Sequence, residues 1–152
     1  MGDRWTLLVL RELFYGQTRF EQFVGVLSIP RTTLADRLDK LVGAGIVTRE
    51  VYQREPTRHE YVLTEKGRDF FPVMAAINAW GDKWAVDDAG VPVVLTHTTC
   101  GAQMEPVVVC SECHEPVSAD DLKASIGPGY PEHLRERRAV AARFSEADVD
   151  GR

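Results

Sequence analysis

The sequence is poor in cysteine, in long apolar runs and in surplus positive charge, and each shortage closes off a class of protein. Its three cysteines, Cys100, Cys110 and Cys113, are an odd number confined to one region. That argues against a disulfide framework and leaves metal ligands or free thiols. No stretch approaches the roughly 18 consecutive apolar residues that a membrane span needs, and no basic, apolar leader of the secretory kind stands at Met1. A cytoplasmic protein without a membrane partner is expected. The chain also offers no phosphate-cradling glycine loop, no arguable Ser/His/Asp set and no helical metal motif with an open position. An enzyme is therefore not expected, and no internal repeat or low-complexity tract suggests a fibrous or repetitive architecture.

What is present fits one ordinary domain, or a small domain with an appendage, in 152 residues that are 44% hydrophobic and 27% charged. The net charge of −5 looks unsuited to a nucleic-acid binder until it is divided along the chain. Residues 1–84 hold 12 Lys and Arg against 11 Asp and Glu, a balance of +1; residues 85–152 hold 6 against 12, a balance of −6. Gripping DNA takes local positive charge rather than a basic total. The acidic half is expected to lie away from any phosphates or to repel non-specific binding.

The most informative stretch is Ile29 to Val47, I-P-R-T-T-L-A-D-R-L-D-K-L-V-G-A-G-I-V. On a helix at about 100° per residue, Leu34, Leu38 and Leu41 gather on one side. Thr32, Thr33, Asp36, Asp39 and Lys40 spread over the other, with Arg31 and Arg37 at its margins. Taken alone this is an ordinary amphipathic helix; the same mixture of hydroxyls and cations also suits a helix lying in a DNA major groove. Its neighbours favour the second reading. Asp3 is a good N-cap for a first helix ending at Gly16, close enough to Met1 to leave no room for an earlier one. Thr18, with Glu21 completing a capping box, opens a second helix with Phe20, Phe23 and Leu27 on its apolar side. Pro30 suits the first turn of the third helix, which Gly43 and Gly45 end. Three helices with a tight link between the last two make a helix-turn-helix.

Two β-rich runs follow, Ile46 to Val51 and Glu60 to Leu63, separated by Y-Q-R-E-P-T-R-H. Such a hairpin beside a recognition helix is a wing, and Arg54, Arg58 and His59 are placed to enter a minor groove or hold phosphates. Thr64 then caps a long helix in which Pro72 is expected to mark a kink. Phe70, Val73, Met74, Ile77, Trp80 and Trp84 recur along it at helical spacing. So large an apolar stripe on so small a domain predicts a second subunit, although packing under the C-terminal segment would also cover it. Two-fold symmetry is how winged helices read palindromes.

Residues 85–92 are acidic and turn-rich and read as a linker. The segment 93–130 is expected to be β-rich. In it His97 and Cys100 are three apart, as are Cys110 and Cys113, and Gly101 after the first pair favours a knuckle. Two such knuckles would give a closed structural Zn²⁺ site of one His and three thiolates. Reduced cysteines packed as small hydrophobes, or a Cys110/Cys113 redox couple, are the alternatives. Residues 131–152 read as a polar helix or tail.

The strings G-D-R-W-T-L-L-V-L-R-E-L, T-R-F-E-Q-F, L-A-D-R-L-D-K-L-V-G-A-G-I-V and Y-Q-R-E-P-T-R-H-E-Y-V-L-T-E-K-G-R, spread over residues 2–84, resemble the HxlR-type winged helix-turn-helix regulators of bacteria. The resemblance implies an α+β, MarR-like fold over residues 1–84, a homodimer built through terminal helices, and a cytoplasmic repressor of transcription that binds an inverted-repeat operator in duplex DNA. It implies a recognition role for Arg31, Thr32, Thr33, Asp36, Arg37 and Lys40 and a wing role for Arg54, Thr57, Arg58 and His59. It also implies control by a small-molecule or redox effector and a zinc-ribbon-like extension appended to the dimer. Two features of the family pattern are missing: Pro30 stands where a Ser is usual, and no cysteine–proline segment precedes the G-x-x-W motif. A thiol-redox enzyme or sensor, or a winged helix that serves as an interaction module without DNA, are the rival functions.

Overall fold

The computed structural model describes residues 3–144. The chain divides into two compact units, Met1–Val107 and Val108–Arg152. The division falls between the two cysteine pairs, inside the stretch expected as one appendage. In the first unit the order is α1 (Arg4–Phe14), α2 (Phe20–Leu27), α3 (Arg31–Gly43), β1 (Val47–Arg54), β2 (Thr57–Leu63), α4 (Glu65–Arg68), α5 (Phe71–Trp84), β3 (Thr96–His97) and β4 (Ala102–Gln103). No helix among the described residues is long and apolar enough to cross a membrane.

The core forms where the apolar sides of the first three helices meet the base of the hairpin. Val9, Leu10 and Leu13 of α1, Phe23 of α2, Leu34, Leu38 and Leu41 of α3, and Val47 and Tyr61 of the strands are all buried in it. Burying each of these large side chains is worth roughly 1.5–3 kcal/mol, so the three leucines alone fix the rotation of α3 about its axis. Its polar side is thereby turned to solvent. The helix ends in a left-handed glycine: Gly45, at φ +67°, donates its N–H to Val42 O, and Ile46 N–H reaches back to Leu41 O. This double closure is the Schellman arrangement, and it drops Ile46 directly into the core.

β1 and β2 are antiparallel, with Val47 opposite Leu63 and Arg54 opposite Thr57, and a bulge between Val51 and Gln53. The strands run further than the sequence suggests, leaving only Glu55 and Pro56, joined by a cis peptide, at the tip. A third segment touches the hairpin: Tyr61 N–H donates to Thr18 O at 2.7 Å, bridging the start of α2 to β2. Thr18 is engaged there rather than as the expected cap. Gln22 takes that role, its Oε1 accepting from the N–H groups of Thr18 and Arg19 at 3.1 and 2.8 Å.

The long helix expected after Thr64 is two helices. Pro72 has no N–H to donate to the carbonyl of Arg68 and its ring would collide with it. The chain accordingly breaks at Asp69 and Phe70, where Phe70 N–H turns to Gly67 O at 3.2 Å, and restarts with Pro72 in the first turn of α5. Thr64 caps only α4, accepting from Gly67 N–H at 3.1 Å.

Gly67 is buried against the end of α3, and a Cβ there would lie 2.1 Å from Ile46 O. That carbonyl cannot move freely because it accepts from both the N–H and the Oγ1 of Thr64. Gly67→Ala is expected to cost roughly 2–3 kcal/mol, read as a lower denaturation midpoint at unchanged m-value; a midpoint equal to that of the parent would contradict this packing.

The segment 93–130 is far less β-rich than expected. In the first unit it holds only the two-residue pair β3–β4, and in the second a single bridge between Val109 and Pro116. The second unit continues through a 3₁₀ turn at Ala119–Asp121, α6 (Glu132–Arg135) and α7 (Arg138–Arg143). Tyr130 and Phe144 meet edge to face at 5.9 Å, and the Arg135 guanidinium donates to the carbonyls of Gly127, Pro128 and Tyr130. The rest of the expected C-terminal helix or tail, 145–152, lies outside the described residues.

Candidate nucleic-acid interface

With Leu34, Leu38 and Leu41 committed to the core, α3 turns Arg31, Thr32, Asp36, Asp39 and Lys40 to solvent, with Thr33 half-buried. Pro30 sits at the N-cap rather than within the helix and offers no side-chain cap. Four of the charged residues are engaged within the chain. Arg37, only 18% exposed in its side chain, donates to Asp3 Oδ2 at 2.6 Å and also to Asp36. Lys40 Nζ donates to the same Asp36 oxygen at 2.8 Å. Asp3 is the N-cap of α1, accepting from Trp5 N–H at 2.7 Å. Its carboxyl is held below the usual range, first by the hydrogen bond from Arg37 and then, against the opposing effect of desolvation, by backbone N–H donors. Arg37 thus ties α3 to the start of α1, and the cation it brings is shared between two carboxylates.

Arg31 is the first residue of α3 and makes a two-pronged ion pair with Glu21 of α2. Nη1 meets Oε1 and Nη2 meets Oε2, each at 2.6 Å, with both side chains mostly exposed. On the expected reading face, Thr32 and Thr33 make no side-chain hydrogen bond within the described residues.

The wing places Arg54, Thr57 and Arg58 at its exposed end, with His59 half-buried behind them. Thr57 Oγ1 donates to Arg54 O at 3.1 Å, closing the tip, and among the described residues neither Arg54 nor Arg58 is in an ion pair. Two residues beside the wing escape sequence reasoning. The β1 bulge sets Tyr52 out of register, and the Arg19 guanidinium lies 4.3 Å from the centre of its ring. Arg19, Tyr52, Arg58 and His59, with Glu21, line a concavity of about 610 Å³ between the start of α2 and the wing. No local signal announces this contact, because it depends on a bulge and on residues 33 positions apart in the chain.

The apolar stripe after Thr64 divides in two. Met74 is 5% exposed and Phe70 packs against the core, so both serve the interior of their own chain. Phe71 meets Phe14 edge to face at 5.3 Å, and Asn78 Nδ2 donates to Tyr15 OH at 3.2 Å, fixing α5 on α1. Val73, Ile77, Trp80 and Trp84 remain exposed, the two tryptophans by 65% and 68%.

The cysteine pairs form two separate turns. At the first, His97 O accepts from the N–H groups of Cys100 and Gly101 at 3.2 and 2.8 Å, Gly101 is left-handed at φ +72°, and His97 Nδ1 is 3.3 Å from Cys100 Sγ. At the second, Cys110 O accepts from His114 N–H at 3.0 Å, with His114 left-handed at φ +61°. The Cys110 thiol is pulled below its ordinary range, chiefly by the backbone N–H groups of Cys113 and Glu112 and then by the Cys113 thiol. Such donors favour a thiolate. Among the described residues, no group of three or more His, Cys, Asp or Glu side chains could hold a metal ion, so only the pairs, and not the four-ligand set, have support from geometry.

A family model described as HxlR-like helix-turn-helix matches residues 1–89. The chain is 43% identical over 134 residues to the uncharacterized HTH-type transcriptional regulator Rv3095 of Mycobacterium tuberculosis, covering 88% of this chain and 85% of that relative. That length exceeds the family match, so this relative shares part of the C-terminal segment as well. Two solved structures of candidate transcription factors have the same fold. PA1607 superposes with a TM-score of 0.73 at 33% identity, over 82% of this chain and 87% of its own. PA1374 from Pseudomonas aeruginosa has a TM-score of 0.64 at 31% identity, over 88% and 91%. The chain belongs to the HxlR-like helix-turn-helix family.

Proposed function

We propose that this protein is a homodimeric repressor of transcription that reads an inverted-repeat operator, with α3 in the major groove and the wing on the neighbouring backbone or minor groove. The observation that carries the reading is the pairing, in one unit, of a helix whose buried leucines turn its polar side outward with a hairpin whose Arg54 and Arg58 have no carboxylate partner among the described residues. Thr32, Thr33 and Lys40 are the side chains best placed for base edges. Arg31 serves the phosphates, and Arg37 acts by holding α3 to α1. The names of the relatives support a regulatory role. A salt titration of duplex binding tests it: log K is expected to fall linearly with log salt, by about 0.9 for each phosphate engaged. Binding that is absent, or indifferent to salt, would contradict the proposal.

A second proposal, carried by the donor types in the sequence and not by the arrangement of the two turns, is one structural Zn²⁺ per chain. Each turn taken by itself closes on the carbonyl of the first residue of its pair, His97 O accepting from Cys100 and Gly101 and Cys110 O from His114, and His and Cys are the donors that a closed zinc site uses. Metal analysis of the purified full chain is expected to find about one zinc per chain, lowered by Cys113→Ser. A metal-free preparation that is fully folded would overturn this.

A further inference from the structure

The ion pair between Glu21 and Arg31 has a geometry that the fold alone does not need. It joins two exposed side chains on α2 and α3, helices already locked together through Phe23, Leu34 and Leu38. An exposed pair of this kind contributes little to stability, yet both prongs of the guanidinium are occupied at 2.6 Å. A carboxylate presents two oxygens to that fork in the same way as a phosphate does. Among the described residues Glu21 is also the one acidic side chain lining the concavity that Arg19, Arg58 and His59 share beside the wing. The hydrogen bond from Arg31 holds the Glu21 carboxyl below its usual range, so it is charged at neutral pH.

We propose that Glu21 is a competitor built into the chain for the place of a DNA phosphate on Arg31. In the free protein its carboxylate fills the guanidinium fork and sets one negative charge among the cations of the α2–wing concavity. A backbone phosphate reaches Arg31 only by displacing it, and the carboxylate then remains close to the phosphates and repels them. The effect is to restrain binding to arbitrary duplex, where counterion release is the main driving force, so that affinity depends more on the base contacts of α3. This inference rests on the DNA-binding reading above.

The test uses the full-length protein and a mixed-sequence duplex. Glu21→Gln is expected to bind it about thirty-fold more tightly at 0.15 M salt, about five-fold for the one further phosphate engaged by each Arg31 of the proposed dimer, and to steepen the salt slope by about 1.8. Glu21→Ala provides a second variant of the same exposed position. Adding Arg31→Ala to Glu21→Gln is expected to abolish both gains, since the freed guanidinium is their source. If either single variant binds no better than the parent at unchanged slope, or more weakly, or if the gain persists without Arg31, the inference is wrong while the DNA-binding reading stands. If the parent protein binds no duplex at all, both fall together.

Discussion

In the proposed homodimer, Trp80→Glu is expected to leave a monomer of about 17.0 kDa and to weaken operator binding by two orders of magnitude or more. Trp80 stands 65% exposed on α5 beside Val73, Ile77 and Trp84, on the side of the helix turned away from Met74 and Ala75. A surface of two tryptophans and two branched aliphatic side chains is costly to leave in water, and aromatic anchors of this kind dominate subunit interfaces. A carboxylate placed there is tolerated in the monomer, where it remains hydrated, and is penalised in a dimer that desolvates it without a partner. The fold should survive, because the attachment of α5 to α1 runs through Met74, the Phe14–Phe71 contact and the Asn78–Tyr15 hydrogen bond on its other side. Sedimentation equilibrium with circular dichroism on the same sample reads both properties, and Ile77→Glu serves as a second variant. A folded Trp80→Glu protein that stays dimeric would place the interface elsewhere.

The other large effect belongs to the wing. Arg54→Ala with Arg58→Ala is expected to flatten the salt slope by about 1.8 for each wing, about 3.6 for the proposed dimer, and, at 0.15 M salt, to lower affinity by about three orders of magnitude for operator and arbitrary duplex alike. The equality matters: phosphate contacts position the protein without reading sequence, whereas loss of a base contact acts on the operator alone. Neither arginine is paired within the described residues, so removing them takes nothing from the fold that a thermal melt would detect. An unchanged slope would rule out the wing as a phosphate clamp.

The elements of the DNA-binding unit were legible in the sequence to the extent that their signals are local. The spacing of Leu34, Leu38 and Leu41 gives both the helix and its buried side, Asp3 and Gly45 mark helix ends by their own chemistry, and the order of helices and hairpin gives the winged architecture. What escaped depends on contacts between distant residues. Thr18 is a good cap in isolation, but the carbonyl of the same residue is drawn to Tyr61, 43 positions on, and Gln22 closes the helix instead. Arg37 reads as a surface cation until Asp3 is brought against it by the packing of α1 on α3. The stripe of Phe70, Met74 and Trp80 looks continuous on a helical wheel. The break before α5 and its seat on α1 divide that stripe into an inward and an outward part. The weakest guide was β-branched composition in residues 93–130, where Val93, Val94, Val107, Val108 and Val117 lie in irregular backbone and Val109 makes a single bridge to Pro116.

Reading of base sequence by α3 is tested most directly by selection from a library of random duplexes by the purified protein. The predicted result is enrichment of an inverted repeat whose half-sites lie about one helical turn apart, or a multiple of it, together with loss of that preference, but not of all binding, when Thr32, Thr33 and Lys40 are changed to alanine. A library that emerges unenriched, or the same sequence enriched equally by the altered protein, would contradict it.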